Sequence, residues 1–207
     1  MERDISAYFS TLARLGEQAE ATDKAAHPLG LAAAFAWVQR TARAAHDSGH
    51  KLMFVGNGGS AGIASHCAID YSKNGDLRSL AFNDGAALTC LSNDLGYDNV
   101  FARQVEMHGR SGDLLMAISS SGNSPNIHKA VSAARGIGCA VATFSGFKAD
   151  NPLRTMGDVN FYVASDAYGF VEILHLSLCH AILDLTMGWR ATDMSIRNGD
   201  LKAESLV

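Results

Sequence analysis

Gly56-Asn57-Gly58-Gly59-Ser60 and Ser119-Ser120-Ser121-Gly122-Asn123-Ser124 are the two stretches of this chain whose residue types suit an anion. Each follows a short apolar run of strand character and leads into a run of helical character. Small side chains let backbone N–H groups come close to phosphate oxygens, and the first turn of a following helix adds unsatisfied donors and a positive dipole end. Hydroxyls and amides can then bind phosphate without a lysine. One such loop is weak evidence, because many α/β turns use glycine for geometry alone. Two together, the second with four serines in six residues, point to a phosphate pocket. Neither loop carries G-x-G-x-x-G, and the Walker pattern is absent, so no nucleotide cofactor is expected.

Histidines and carboxylates form a second constellation. His66 and Asp70 are four apart on an expected helix, about 40° apart around its axis and so on one face. Glu172, His175 and His180 fall on the last helix. Glu172 and His180 are eight apart, roughly 80° around the axis and ~12 Å along it. Both can border one cavity while reaching it at different depths. A histidine on an apolar helix is by itself more often structural; two phosphate loops nearby shift the balance towards function.

The elements that must position these groups follow from periodicity. Ile5, Phe9, Leu12 and Leu15 mark an amphipathic helix over Ile5–Ala19, and Leu31, Phe35, Val38, Ala42 and Ala45 a second over Pro28–Ala45, with Pro28 near its first turn. These helices precede the first expected strand and have no sheet of their own to cover, so they pack either on another subunit or on the chain's own core. From Gly49 onward short apolar runs alternate with helices. Strands are predicted over Lys51–Val55, Ser79–Phe82, Asp113–Ile118, Cys139–Phe144 and Val159–Val163. Helices are predicted over Ala61–Ser72, Gly85–Leu95, Asn99–His108, Pro125–Arg135 and Phe170–Met187. This alternation predicts an α/β fold: a three-layer, doubly wound sandwich on a mainly parallel five-stranded sheet. Ligands bind such sheets beyond the carboxyl ends of the strands, which brings both loops to one pocket.

A length of 207 residues, 47% hydrophobic and 18% charged, fits a single domain over 1–189, its first 48 residues a helical extension, followed by a polar tail over 190–207. A formal charge of -4 without a dense Lys/Arg stripe argues against nucleic acid or an anionic membrane as partner. No apolar run approaches the ~20 residues of a membrane span, so a cytoplasmic location is expected. Cys67, Cys90, Cys139 and Cys179 lack a C-x-x-C pair and read as small buried residues.

The strings GNGGSAGIASHCAID, SNDLGYDNVFARQV, GDLLMAISSSGNSPNIHKAV and EILHLSLCH together resemble the sugar isomerase (SIS) domain family, and within it the phosphoheptose isomerases, over about Ile5 to Met187. The resemblance implies a homotetramer with N-terminal helices at the subunit contacts and active sites shared between subunits. It implies that Asn57, Gly58, Gly59 and Ser60, then Asn93 and Asp94, then Ser119, Ser120, Ser121 and Ser124 contact a phosphorylated sugar, with the serine loop on the phosphate. It further implies a divalent metal, zinc first, at His66, Asp70, Glu172 and His180, where the family has His, Glu, Gln and His. The Glu and last His are the family's acid/base pair.

Two of those four positions depart from the family. Asp70 is one methylene shorter, about 1.5 Å, and a misplacement of ~1 Å costs on the order of 100-fold in rate. Glu172 puts a carboxylate where the family has a neutral amide. The base for an enediol isomerisation is therefore either Asp70 or Glu172, with His180 its partner. Two carboxylates and two histidines suit zinc, manganese or iron(II), and a cation would keep both carboxylates ionised. The expected activity is aldose-ketose isomerisation of sedoheptulose 7-phosphate to D-glycero-D-manno-heptose 7-phosphate or of a related phosphosugar. The alternative is a non-catalytic sugar-phosphate sensor or assembly protein.

Overall fold

The strands β2 (Leu52–Gly56), β4 (Leu114–Ser119) and β5 (Ala140–Ser145) are apolar on both faces because helices cover both sides of the sheet. Successive side chains alternate between faces. Leu52, Phe54, Leu114, Met116, Ile118, Ala142 and Phe144 join one core, while Met53, Val55, Leu115, Ala117 and Val141 join the other. The first core is shared with α2 (Leu31–Asp47), α3 (Gly59–Lys73) and α7 (Tyr168–Thr186). The second is shared with α5 (Val100–His108) and α6 (Pro125–Ile137), with α4 (Gly85–Leu95) at its margin. Each fully buried Phe or Leu in such a core contributes about 1.5–3 kcal/mol by leaving water. This computed structural model describes residues 1–190; of the expected tail, 191–207 lie outside the described residues.

Among the described residues the sheet has six strands rather than five, in the order β1-β6-β5-β4-β2-β3. β3 (Ser79–Ala81) and β6 (Val159–Tyr162) complete the parallel part. The unforeseen strand is β1 (Glu20–Asp23), antiparallel to β6 at the edge. Its four residues, Glu-Ala-Thr-Asp, bury only Ala21 and Thr22, too few to leave a periodic signal. β1 also gives α2 a sheet to cover. Ala34, Val38, Ala42 and Ala45 of α2 are buried in the chain, so of the two leading helices only α1 (Glu2–Glu17) has no buried residue. α2 begins three residues after Pro28, which pairs with Thr22 in a tight return, and Gly30 at φ +72 makes the entry.

Helix α7 carries the fold's other departure. At 19 residues it is long and apolar enough to cross a membrane, contrary to the expectation that no segment comes near that. Its Val171, Leu174, Leu178, Cys179, Ile182 and Leu183 are instead packed in the protein's own core, which accounts for the composition. Three of the four cysteines are buried as expected, whereas Cys90 is exposed.

His175 of α7 is fully buried, and its Nε2–H donates to the carbonyl of Ser145 at the end of β5 (3.0 Å). Burial pulls its pKa down to about 4, so the ring is neutral and structural. An imidazole with a lowered folded-state pKa contributes stability that is complete above the unfolded pKa of 6.5 and is lost as pH falls towards 4, because the unfolded chain binds the proton first. The loss is on the order of 3 kcal/mol, from about 1.4 kcal/mol per pKa unit. Thermal midpoints measured between pH 7 and 4 should fall less steeply in His175→Gln, which keeps the N–H donor but does not titrate. Equal slopes in the two proteins would remove His175 from this role.

Candidate active site

β2 and β4 are adjacent parallel strands in a register that pairs Gly56 with Ile118, so their carboxyl ends finish level. From there the chain turns in opposite directions, to β3 on one side and β5 on the other. This is the switch point where open α/β sheets leave a crevice. The glycine loop enters α3 and the serine loop enters α6, and both helices start at this crevice. Gly58 precedes α3 at φ +53 and Ser124 precedes α6, and neither helix has a side-chain cap on its first N–H groups. Ser124 sits at the N-cap position, but its hydroxyl faces that of Ser119 (3.3 Å). Two uncapped positive helix ends therefore open towards one another.

Between them lies a cavity of about 300 Å³ lined by Asn57, Gly58, Gly59, Ser60, Ser119, Ser120, Ser121, Ser124, Tyr168 and Glu172. Nine of these ten residues are the predicted loop residues and Glu172; Tyr168, at the start of α7, is the addition. Among the described residues, no lysine or arginine lines it. The buried hydroxyl of Ser120 has no hydrogen-bond partner among the described residues, and an unpaired buried hydroxyl costs free energy that a bound oxyanion would recover. Ser121 Oγ instead accepts from the N–H of Asn123 (3.2 Å), shaping the turn. Glycine is required twice here. A β-carbon on Gly122, already at φ +65, would collide with the Asn151 side chain, and one on Gly59 would collide with the Glu172 carboxyl group. Gly59 thus makes the space in which Glu172 reaches the loops.

His66, Asp70 and His180 come together separately. His66 Nε2 lies 3.1 Å from His180 Nε2 and 3.1 Å from Asp70 Oδ2, and His180 Nε2 lies 3.7 Å from that same oxygen. Three lone-pair donors thus face one point, from residues that are exposed to half-buried. Zinc held tetrahedrally at ~2.0–2.1 Å from nitrogen and oxygen has donor atoms ~3.3 Å apart, which these three edges bracket. The trio fits a divalent cation. Glu172 is not in this group among the described residues; two turns of α7 separate it from His180 and carry its carboxylate to the cavity. The four-ligand set is therefore three plus one.

Asn93 and Asp94 end α4, exposed and bonded to each other (2.8 Å), outside the cavity lining. Three residues further on, Tyr97 reaches back to the glycine loop. A second cavity, about 270 Å³, lies at the opposite end of the sheet, lined among others by His50, Lys51, Arg78, Arg110 and Asp113. Its buried Asp113 accepts from Lys51 Nζ (2.6 Å) and from the N–H groups of Lys51 and Arg110, which ties the strand entries together.

Comparison with known proteins agrees with this geometry. The SIS domain model matches residues 7–146. The phosphoheptose isomerase of Rhodospirillum rubrum is 35% identical over 195 residues, covering 89% of this chain and 96% of the relative. That of a Bradyrhizobium species is 40% identical over 142 residues, 66% of this chain and 71% of the relative. Among solved structures, the phosphoheptose isomerase GmhA from Neisseria gonorrhoeae superposes with a TM-score of 0.77 at 29% identity, covering 89% of this chain and 98% of that one. The NanR protein of Vibrio vulnificus, at 17% identity and a TM-score of 0.65 over 90% of this chain and 62% of that one, shares the fold alone. By sequence and by structure, this chain belongs to the SIS domain family and, within it, to the phosphoheptose isomerases.

Proposed function

We propose that the protein interconverts sedoheptulose 7-phosphate and D-glycero-D-manno-heptose 7-phosphate, with Glu172 as the carboxylate that moves the carbon-bound proton. The observation that carries this assignment is the position of Glu172: it shares one cavity with both phosphate loops, while Asp70 is held between two histidines. The serine loop and the two helix ends anchor the phosphate. A carboxylate opposite the sugar's carbonyl end removes a proton from C1 of the ketose, and the C1–H electrons form the C1=C2 double bond of an enediol as the carbonyl oxygen is protonated. Return of a proton to C2, with loss of the O1 proton, gives the aldose. Without a cation, Asp70 and His180, 3.7 Å apart, would form a second acid/base couple of the site. A divalent cation held by His66, Asp70 and His180, zinc by its donor set, supplies positive charge against developing negative oxygen.

The two substitutions act as a pair in this reading. A shortened Asp70 leaves the place of the family's base, and Glu172 supplies a carboxylate from the other wall. NMR of sedoheptulose 7-phosphate in deuterated water tests the activity directly: deuterium uptake with appearance of an aldose signal is expected. Glu172→Gln should lower the rate by about 10²- to 10⁴-fold, and Asp70→Glu/Glu172→Gln, which restores the family's pair, should recover at least about tenfold of it. A silent wild type that still binds the sugar would mark a sensor instead, and an unimpaired Glu172→Gln would return the base to Asp70.

The cation reading has its own readout. Equilibrium dialysis against zinc followed by elemental analysis should give near-stoichiometric metal, with loss of binding in His66→Ala and His180→Ala and retention in Glu172→Gln. Strong loss in Glu172→Gln would make it a ligand after all.

A homotetramer built through α1 is part of the same proposal. Ile5 and Phe9 of α1 are 52% and 62% exposed, and Tyr8 stacks on Phe170 of α7 (4.6 Å between ring centres). Apolar side chains at this helical spacing form a face suited to a second copy. Light scattering should give four times the chain mass, and less for Phe9→Glu; a monomeric wild type would overturn the assembly.

A further inference from the structure

Asn57 is where three segments of the site meet. Its Nδ2 donates to Asn126 Oδ1 (2.8 Å), and Asn126 Nδ2 donates back to Asn57 Oδ1 (2.9 Å). The hydroxyl of Tyr97 donates to that same Asn57 Oδ1 (3.0 Å). Asn57 lies in the glycine loop after β2. Asn126 is the second residue of α6, directly behind the serine loop, and Tyr97 follows the end of α4. A reciprocal amide pair makes two parallel hydrogen bonds, so it fixes both the separation and the mutual orientation of the segments that carry it. Asn126 is 2% exposed, so neither amide of the pair is readily replaced by water.

The count of donors and acceptors decides what Asn57 has left for a ligand. An amide oxygen has two lone pairs and an amide nitrogen two protons. Both lone pairs of Asn57 are used, one by Asn126 and one by Tyr97, and one of its two protons is used by Asn126. A single N–H remains. A second tie runs parallel to the first: Lys129 Nζ of α6 donates to Asn99 Oδ1 (3.1 Å), two residues beyond Tyr97.

From this we infer that Asn126 and Tyr97 are positioning residues for phosphate: acting through Asn57, they hold the glycine and serine loops at the spacing in which both helix ends address one anion. The inference rests on the reading that this cavity takes the phosphate end of the substrate, and it adds two residues that touch no ligand themselves. The loops come from different strands, and between β2 and β4 the ladder ends at the pair Gly56 and Ile118 at their roots. Beyond the sheet, among the described residues, the amide pair is the side-chain bond that ties the glycine loop to the helix behind the serine loop. Glu172, on α7, is not part of this network, so breaking the network should affect binding more than the proton transfer step.

The test uses inorganic phosphate as probe, titrated into the full-length protein and followed by NMR shift or calorimetry, beside steady-state kinetics on sedoheptulose 7-phosphate. Tyr97→Phe removes one neutral hydrogen bond from an exposed residue and should raise the phosphate Kd and the sugar KM by about fivefold. Asn126→Ala removes two and should raise both by about tenfold or more, with kcat within about threefold of wild type. Asn57→Ala/Asn126→Ala should bind no more weakly than the weaker single variant, because the two amides act as one unit. Unchanged phosphate Kd in Tyr97→Phe and in folded Asn126→Ala, with only the thermal midpoint lowered, would reduce the network to a structural contact. A wild type that binds no phosphate would instead remove the phosphate reading of the cavity. Phosphate binding without isomerase activity would leave this inference standing and remove the reaction.

Discussion

An anion taken from water into a protein without a cation beside it must be met by dipoles already in place, and the arrangement of this fold follows from that requirement. Two helix N-termini satisfy it only if they converge, and they converge because β2 and β4 are neighbours in the sheet and end at the same level. Had β3 come between them, the loops would stand a full strand spacing further apart, about 4.8 Å. The remaining features adapt to this one. The first turns carry glycine and serine because larger side chains would fill the space, and Ser124 leaves the first N–H groups of α6 uncapped although it stands where a cap belongs. Helix stability is given up at that point in favour of a ligand.

Helix α7 runs past this crevice and shows how one element serves three environments. Glu172 near its start faces the cavity. His175, less than one turn on, is sealed in the core with its proton on the Ser145 carbonyl, and His180 emerges beside His66 and Asp70. The same residue type is structural at one height and a candidate ligand five residues later. Packing decides between them: His175 has the aromatic ring of Phe144 beside it, whereas His180 lies against α3, whose helical spacing aligns His66 with Asp70. The apolar length of α7 reflects the same central position.

Much of this was legible in the residues. The apolar runs before the two loops placed β2 and β4 to within one residue, since strands buried on both faces are apolar throughout. The loops themselves were readable because phosphate chemistry demands small residues and hydroxyls at a helix start. What could not be read depends on tertiary partners. β1 buries two side chains and has no pattern of its own. Pro28 suggested a helix start, but Gly30 at positive φ turns the chain first. Asn126 and Tyr97 belong to the site through partners 69 and 40 residues away, a separation that no local pattern records. Spacing allowed Glu172 and His180 to border one cavity at different depths, and the resemblance alone joined them as one ligand set; among the described residues the cluster holds His66, Asp70 and His180.

The charge balance of the site connects these observations. A carboxylate in the same cavity as a phosphate raises the cost of binding, and the family's neutral amide at this position avoids it. Here Glu172 stays within the cavity because Gly59 leaves room for it, beside the first turn of α3. In the role proposed for it the carboxylate must stay ionised next to the anion, and the two uncapped helix ends are the groups placed to offset that repulsion.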